Sequence, residues 1–392
     1  MNTAGDVIRV HADPHAIDGP AWNALLAQQA KPTAFMRWEY LCALHASGST
    51  VAATGWTPRF VTLERQGRLL AAAPAYLKNH SYGEYVFDWA WADAYQRHGL
   101  RYYPKLLVAV PFTPVPGSRL MAVDASARSR LLAALGQLAR QLKASSVHVL
   151  FHDEADAAAV DAPALADQAW LVRHGVQFHW TQDPQHPWPS FEAFIASLLR
   201  DKRKKIAQER RRVTDAGISF STHLGPEISP ALWRFFHHCY TLTYQAHGST
   251  PYLNLAFFEA MAATLPEHWV MFVGQRDGVP LGASLVALDP EQRQAYGRYW
   301  GCTDYVPCLH FEACYYQPLQ WCIANGYQRF EGGAQGEHKM ARGLLPVGTR
   351  SAHWLAHPQF SRAVQDFLAQ EGAGVASYVN ELREHNPFKT GG

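Results

Sequence analysis

At 392 residues the chain is longer than one hydrophobic core usually serves, so its length points to two domains. Hydrophobic residues make up 48% and charged residues 17%, which excludes an intrinsically disordered chain. A formal net charge of +2 excludes a global field for nucleic acid or membrane, and six cysteines with no C-x-x-C pair exclude a disulfide framework.

The start carries Asp6 and Arg9 and no apolar run, so no cleavable signal is expected. No apolar run reaches the roughly 18 residues of a membrane-spanning helix. The expectation is a soluble, cytoplasmic protein with reduced thiols. In chain order, residues 7–10 read as a strand, and residues 22–29 and 34–45 as helical pieces. Residues 47–58, with Gly48, Gly55 and Pro58, read as a loop. Residues 59–65 and 69–77 flank Gln66-Gly67-Arg68 as a hairpin, with Pro74 marking an edge or a bulge. An aromatic tract over residues 82–103 contains Asp88 and Trp89 and leads into a strand that dissolves in the proline-rich segment 104–117. A helix over 127–143, a strand over 147–151, a helix over 164–174 and a strand over 176–181 complete a first α+β unit. Residues 183–189 hold three prolines and form the best linker, which divides the chain into 1–183 and 184–392.

The second half repeats the order of elements without repeating the sequence. Residues 190–199 form a helix with Ser190 as N-cap. Residues 200–216 continue as a charged helix, and a strand over 218–223 follows. Helices over 230–247 and 255–265 precede a hairpin of residues 269–276 and 281–288 around Asp277-Gly278. A strand over 293–300, a helix over 310–325, a strand over 329–331 and a helix over 358–385 end the chain. The fold class is therefore α+β (α/β layered), with mixed central sheets flanked by helices.

The charged helix holds eight cations and two anions between Arg200 and Arg212, so the positive charge is concentrated there. Leu198, Leu199, Lys202, Ile206 and Val213 fall on one stripe at helical spacing, which leaves the cations on the other faces. Lys202, Arg203, Lys204, Lys205 and Arg210 are candidates to contact phosphate or tRNA; a solvated surface helix is the plainer reading.

The densest chemistry lies between Tyr296 and Trp354. Tyr296-Gly-Arg-Tyr-Trp-Gly301 ends a strand, His310-Phe-Glu-Ala-Cys-Tyr-Tyr-Gln317 opens a helix, and Phe330-Glu-Gly-Gly-Ala-Gln-Gly-Glu-His-Lys339 makes a glycine-rich loop. Such residues on a rigid scaffold suit binding and catalysis. His310, Glu312, Glu331 and His338 are candidate bases. Arg298, Tyr299, Trp300, Gln335, Glu337, Lys339 and Arg342, with Asp88 and Trp89 of the aromatic tract, are candidate substrate contacts. Each has a plainer role as a cap or in the core: Glu331, His310 and Glu312 would suit helix starts, Tyr315 and Tyr316 the core. No i, i+4 histidine pair marks a zinc site, and no metal is expected.

These clusters, with Arg200-Asp-Lys-Arg-Lys-Lys205 and Trp56-Thr-Pro58, resemble the FemAB-like family of N-acyltransferases over most of the chain. The resemblance implies tandem GNAT-like domains. It also implies transfer of an acyl or aminoacyl group to an amine, with a cell-wall precursor or a peptide among the acceptors. The donor would be aminoacyl-tRNA or acetyl-CoA, used as a co-substrate, with no tightly bound cofactor. Gly301-Cys-Thr-Asp-Tyr-Val-Pro307 lacks the glycines of a CoA pyrophosphate loop, which counts against acetyl-CoA. A non-catalytic RNA- or nucleotide-binding protein on the same fold, and a metal-dependent hydrolase, are the alternatives.

Overall fold

The computed structural model describes residues 5–162, 169–334 and 336–389. The chain divides into two compact units, Met1–Gly175 with Gly348–Ser377, and Val176–Val347 with Tyr378–Gly392. The units are thus interleaved in sequence: two segments contribute to each, whereas a division into 1–183 and 184–392 is contiguous. Among the described residues no helix is long and apolar enough to cross a membrane.

In chain order the first unit holds β1 (Asp6–His11), α1 (Gly19–Leu26), α2 (Trp38–Ala46), β2 (Trp56–Pro58), β3 (Phe60–Arg65), β4 (Arg68–Ala73) and β5 (Ala75–Lys78). Then come α3 (Trp89–Arg97), β6 (Lys105–Val108), β7 (Met121–Ala122), α4 (Ala125–Gln141), β8 (Ser146–Leu150), α5 (Glu154–Val160) and the start of β9 (Leu171–Thr181). One antiparallel sheet runs β1-β3-β4-β7. The β3–β4 hairpin closes on Gln66 and Gly67, both at positive φ (51 and 76), as a tight primed turn requires. Pro74 separates β4 from β5 and is where the chain leaves this sheet for another, since a proline cannot continue a ladder. In that second sheet β5 pairs antiparallel with β2 and β6, and β6 parallel with β8. Leu131, Leu132 and Leu135 of α4 pack on Val61, Leu63, Leu106 and Val147, the apolar positions of both sheets.

The second unit continues from β9 through α6 (Phe191–Ser197), α7 (Arg200–Asp215), β10 (Ile218–Leu224), α8 (Pro230–Ala246), α9 (Leu255–Thr264), β11 (Trp269–Arg276), β12 (Val279–Asp289) and β13 (Gln294–Cys302). A helical segment follows as α10 (Leu309–Phe311), a π-turn (Glu312–Tyr316) and α11 (Gln317–Ala324). Last come β14 (Arg329–Glu331), a 3-10 turn (Glu337–Arg342), β15 (Leu345–Leu355) and α12 (Pro358–Glu384); the latter two elements extend across the unit boundaries. Strands β10, β11, β12 and β13 pair antiparallel in that order. β14 runs parallel to β13 and antiparallel to β9. Gly301 lies within β13 because α8 crosses there: a Cβ on it would stand 2.0 Å from the Cys239 carbonyl oxygen.

Three expectations are corrected, and one element is added. Residues 56–58 form an edge strand, drawn in by Trp56, which is buried between Tyr76 and Phe112. Residues 171–174 belong to β9 and are not helical; Arg173 is held there by Glu371 through two bonds of 2.7 and 2.6 Å, while residues 164–168 lie outside the described residues. The helix over 190–216 is broken at Leu198 and Leu199, both extended, where Leu198 bridges to Phe388. α5 was not foreseen; Asp153 caps it by accepting from the Asp156 amide.

Candidate active site

The register explains where a cavity opens in the second unit. β13 and β14 pair only over Gln294↔Arg329, Ala295↔Phe330 and Tyr296↔Glu331. Beyond Tyr296, β13 runs on to Cys302, whereas the chain after Glu331 turns into the glycine-rich loop. The two strands part, and residues 297–302 are left with strand pairing on the β12 side. That pairing skips one residue: Leu285 opposes Tyr299 and Val286 opposes Gly297, so Arg298 is the extra residue of a β-bulge. Bulges redirect side chains.

The cavity measures about 160 Å³ and is lined by Ser284, Leu285 and Val286 of β12, by residues 297–300 of β13, and by His310, Cys314, Tyr315, Phe330 and Gly332. Its helical wall is irregular for a reason found in the sequence. Gln317 donates its N–H to the Glu312 carbonyl, a five-residue step, and in the same pattern the Ala313 carbonyl looks to residue 318, a proline with no N–H. The Ser284 hydroxyl supplies the missing donor, at 2.5 Å from the Ala313 oxygen. A buried serine in β12 and a proline in the helix are thus one device, and together they shape the wall that carries His310 and Cys314.

A layer of ion pairs backs this wall. Arg210 of α7 reaches Glu312 (3.2 Å to Oε1), which is buried and also accepts from Gln317 at 2.8 Å. Arg342, almost wholly buried, donates to Glu209 at 2.7 Å and lies 3.6 Å from the centre of the Phe311 ring. Tyr316 donates its hydroxyl to the same Glu209 oxygen. α7 therefore turns Glu209 and Arg210 inward, and Lys204, Lys205, Arg211 and Arg212 outward to solvent. Paired in this way, the two carboxylates are kept where lone charges would be strongly disfavoured.

The nominated residues divide sharply. Arg298, Tyr299, Trp300 and His310 line the cavity. His310 is exposed towards it, with its ring 5.7 Å from that of Trp300. Its confined surroundings, then the positive charge on His338, Arg342 and Lys339, lower its pKa to about 4. Glu331 is buried in the sheet, with a carboxylate oxygen 3.9 Å from His179, and strand alternation turns it away from the face to which Phe330 points. Glu312 and Arg342 belong to the ion-pair layer. Lys339, buried and lowered to about 8 by desolvation, donates to the Ala334 carbonyl at 2.7 Å and so braces the glycine-rich loop. His338 is exposed beside Tyr315 and Phe311 and is lowered, chiefly by desolvation. Gln335 lies outside the described residues, as does the side chain of Glu337.

Asp88 and Trp89 belong to the first unit. Asp88 is buried and receives the Lys105 ammonium together with Glu84, while Trp89 is exposed against Tyr82. On α7, Lys202 pairs with Asp201 at 2.8 Å, and Arg203 closes α6 by donating to the carbonyls of Ala196 and Leu198. Lys204 and Lys205 are exposed. Sequence reasoning overlooked Ser284, Val286, Cys314 and Phe330; the available signal was the lone hydroxyl inside the apolar run of β12.

A family model described as FemAB-like, peptidoglycan biosynthesis/recognition, matches residues 13–390. No curated protein matches the chain. Among solved structures, FemX is 12% identical, with 89% of this chain and 98% of that one covered at a TM-score of 0.51. L-PGS from Bacillus licheniformis is 12% identical, covering 92% and 99% at 0.55. The C-terminal domain of a putative lysylphosphatidylglycerol synthetase from Agrobacterium fabrum is 10% identical, covering 90% and 95% at 0.54. At these identities the likeness is one of fold, and the fold is the expected α+β one, with mixed sheets flanked by helices.

Proposed function

The chain belongs to the FemAB-like family, and from that premise we propose that its second unit transfers an acyl or aminoacyl group from an activated donor to an amine. The acceptor class is an amine of a cell-wall precursor or a peptide. The supporting observation is the cavity where β13 and β14 part, walled by apolar side chains yet furnished with Arg298 and His310. Residues 297–302 offer a strand edge to an extended acceptor peptide, which can add to it by main-chain hydrogen bonds.

With the acyl carbon held there, a neutral amine attacks, the C–N bond forms, and the bond to the leaving oxygen or sulfur breaks. The Arg298 guanidinium suits the developing oxyanion. His310 is neutral at pH 7, so its lone pair is free to take the proton that the amine loses and to hand it to the leaving group. The residues before α10 include Asp304 and Pro307, with Cys308 in a left-handed conformation. That is poor ground for a pyrophosphate, and aminoacyl-tRNA is the preferred donor. The outward cations of α7 then contact its phosphates.

The test is incubation of the protein with charged tRNA, or with acetyl-CoA, plus amine acceptors. His310→Ala and Arg298→Ala are each expected to lower turnover by about 100-fold. Turnover untouched by both substitutions refutes the site. Binding of tRNA without any transfer favours a non-catalytic RNA-binding protein.

A further inference from the structure

We infer that the acyl group moved by the second unit carries an uncharged hydrocarbon side chain about the size of one ring, and that the inner end of the cavity is its socket. This rests on the transferase reading and names the acyl class for that same site. The cavity, about 160 Å³, is graded by exposure. Arg298 is half-buried and His310 exposed, so the reacting groups stand at the mouth. Val286 and Phe330, at 2% and 0% exposure, close the inner end together with the buried Tyr315. The polar atoms there are already engaged. The Ser284 hydroxyl donates to the Ala313 carbonyl, and the Tyr315 hydroxyl meets the exposed His338 at 3.5 Å. Burial raises the Cys314 thiol well above its ordinary value, so it stays protonated and acts as a small apolar wall. None of the described residues that line the cavity is acidic.

Size and polarity then select the occupant. A cavity of about 150 Å³ walled by aliphatic and aromatic side chains takes up benzene, so this one has room for a single ring or a branched aliphatic chain. A two-ring side chain would overpack it. An amine, amide or carboxylate placed there would lose its water and gain no partner. The attacking amine therefore stays outside, and the inner end falls to the donor. Its reacting carbonyl sits at the mouth beside Arg298 and His310, while the side chain next to that carbonyl reaches inward.

Calorimetric titration of the full-length protein with amino acid methyl esters reads the socket without any transfer. Leucine and asparagine have side chains of nearly the same shape and opposite polarity. The leucine ester is expected to bind about 10-fold or more tightly than either the asparagine or the tryptophan ester. Val286→Ala widens the inner end, and with unchanged circular dichroism it is expected to bring the tryptophan ester to within about threefold of the leucine ester. In transfer from charged tRNA to a lysine-containing peptide, the leucyl donor is expected to exceed the asparaginyl donor in kcat/KM by about 10-fold or more. Equal binding of the leucine and asparagine esters overturns the inference, as does a wild type that takes the tryptophan ester as well as the leucine ester. A folded Val286→Ala protein that still rejects tryptophan overturns the size limit. Transfer that favours the asparaginyl donor overturns the inference and leaves the transferase reading standing. The stated order of esters with no transfer from any donor leaves the socket standing and removes that reading.

Discussion

Acid should destabilise the first unit through two histidines buried against each other. His148 of β8 and His353 of β15 are both about 1% exposed, with their Nδ1 atoms 2.6 Å apart. One ring donates and the other accepts, so the accepting ring cannot become an imidazolium without breaking the contact, and the two cannot both be charged. The outer nitrogens are occupied as well, His148 by Ser146 at 2.7 Å and His353 by Ser351 at 3.0 Å. Burial, then Lys105, lowers His148 to about 3; burial, then His148 itself, pushes His353 well below its ordinary value. Both are neutral in the folded protein, whereas the unfolded chain protonates them near 6.5. The unfolded state therefore binds more protons as pH falls below 6.5, and stability is lost from there down towards the folded values. Between pH 7 and about pH 5 the loss comes to roughly 2 kcal/mol per histidine, or roughly 4 kcal/mol for the pair. The assay is urea unfolding at both pH values, for wild type and for His148→Gln with His353→Gln. Glutamine does not titrate, so the double variant should shed most of that acid penalty. An equal loss on acidification in both proteins refutes the reasoning.

Further outcomes follow from single contacts. Ser284→Ala leaves the Ala313 carbonyl without a donor inside the cavity wall and should cost about 1–3 kcal/mol, read as a lowered melting temperature. Glu209→Ala strands the buried Arg342 guanidinium, and a loss of about 3–5 kcal/mol is expected in denaturant unfolding of the second unit. Gly301→Ala drives a methyl group into the Cys239 carbonyl and should cost at least about 1–3 kcal/mol, since both neighbours are backbone in regular elements. On the proposed function, Lys204→Ala with Lys205→Ala should flatten the dependence of log affinity for tRNA on log salt by about two, with the cavity unchanged.

Much of this fold was legible because it rests on local rules. The turns at Gln66-Gly67 and Asp277-Gly278, the Ser190 cap and the leucine spacing of α4 each fix an element with its own residues. What escaped was set at long range. β9 is a strand over residues 171–174 in a sheet where its neighbours are β14 and β15, strands more than 150 positions further on, and no local pattern records that meeting. The candidate site divides along the same line. Residues 298–300 and His310 end apolar elements, and in that position a polar or aromatic cluster is legible as a wall. Glu331, Glu312, Lys339 and Arg342 looked equally chemical, yet three are consumed by burial beside partners and the fourth, Lys339, by loop carbonyls. Composition alone cannot separate a charge that faces substrate from one that faces another charge. α7 makes the point within one helix: Glu209 and Arg210 are adjacent in sequence to Arg211 and Arg212, but helical geometry sends the first pair inward to anchor the π-turn and the second pair to water. The helix that looked like a plain basic surface therefore serves the cavity from behind, and neutralising its inner pair should damage the second unit where neutralising its outer cations should not.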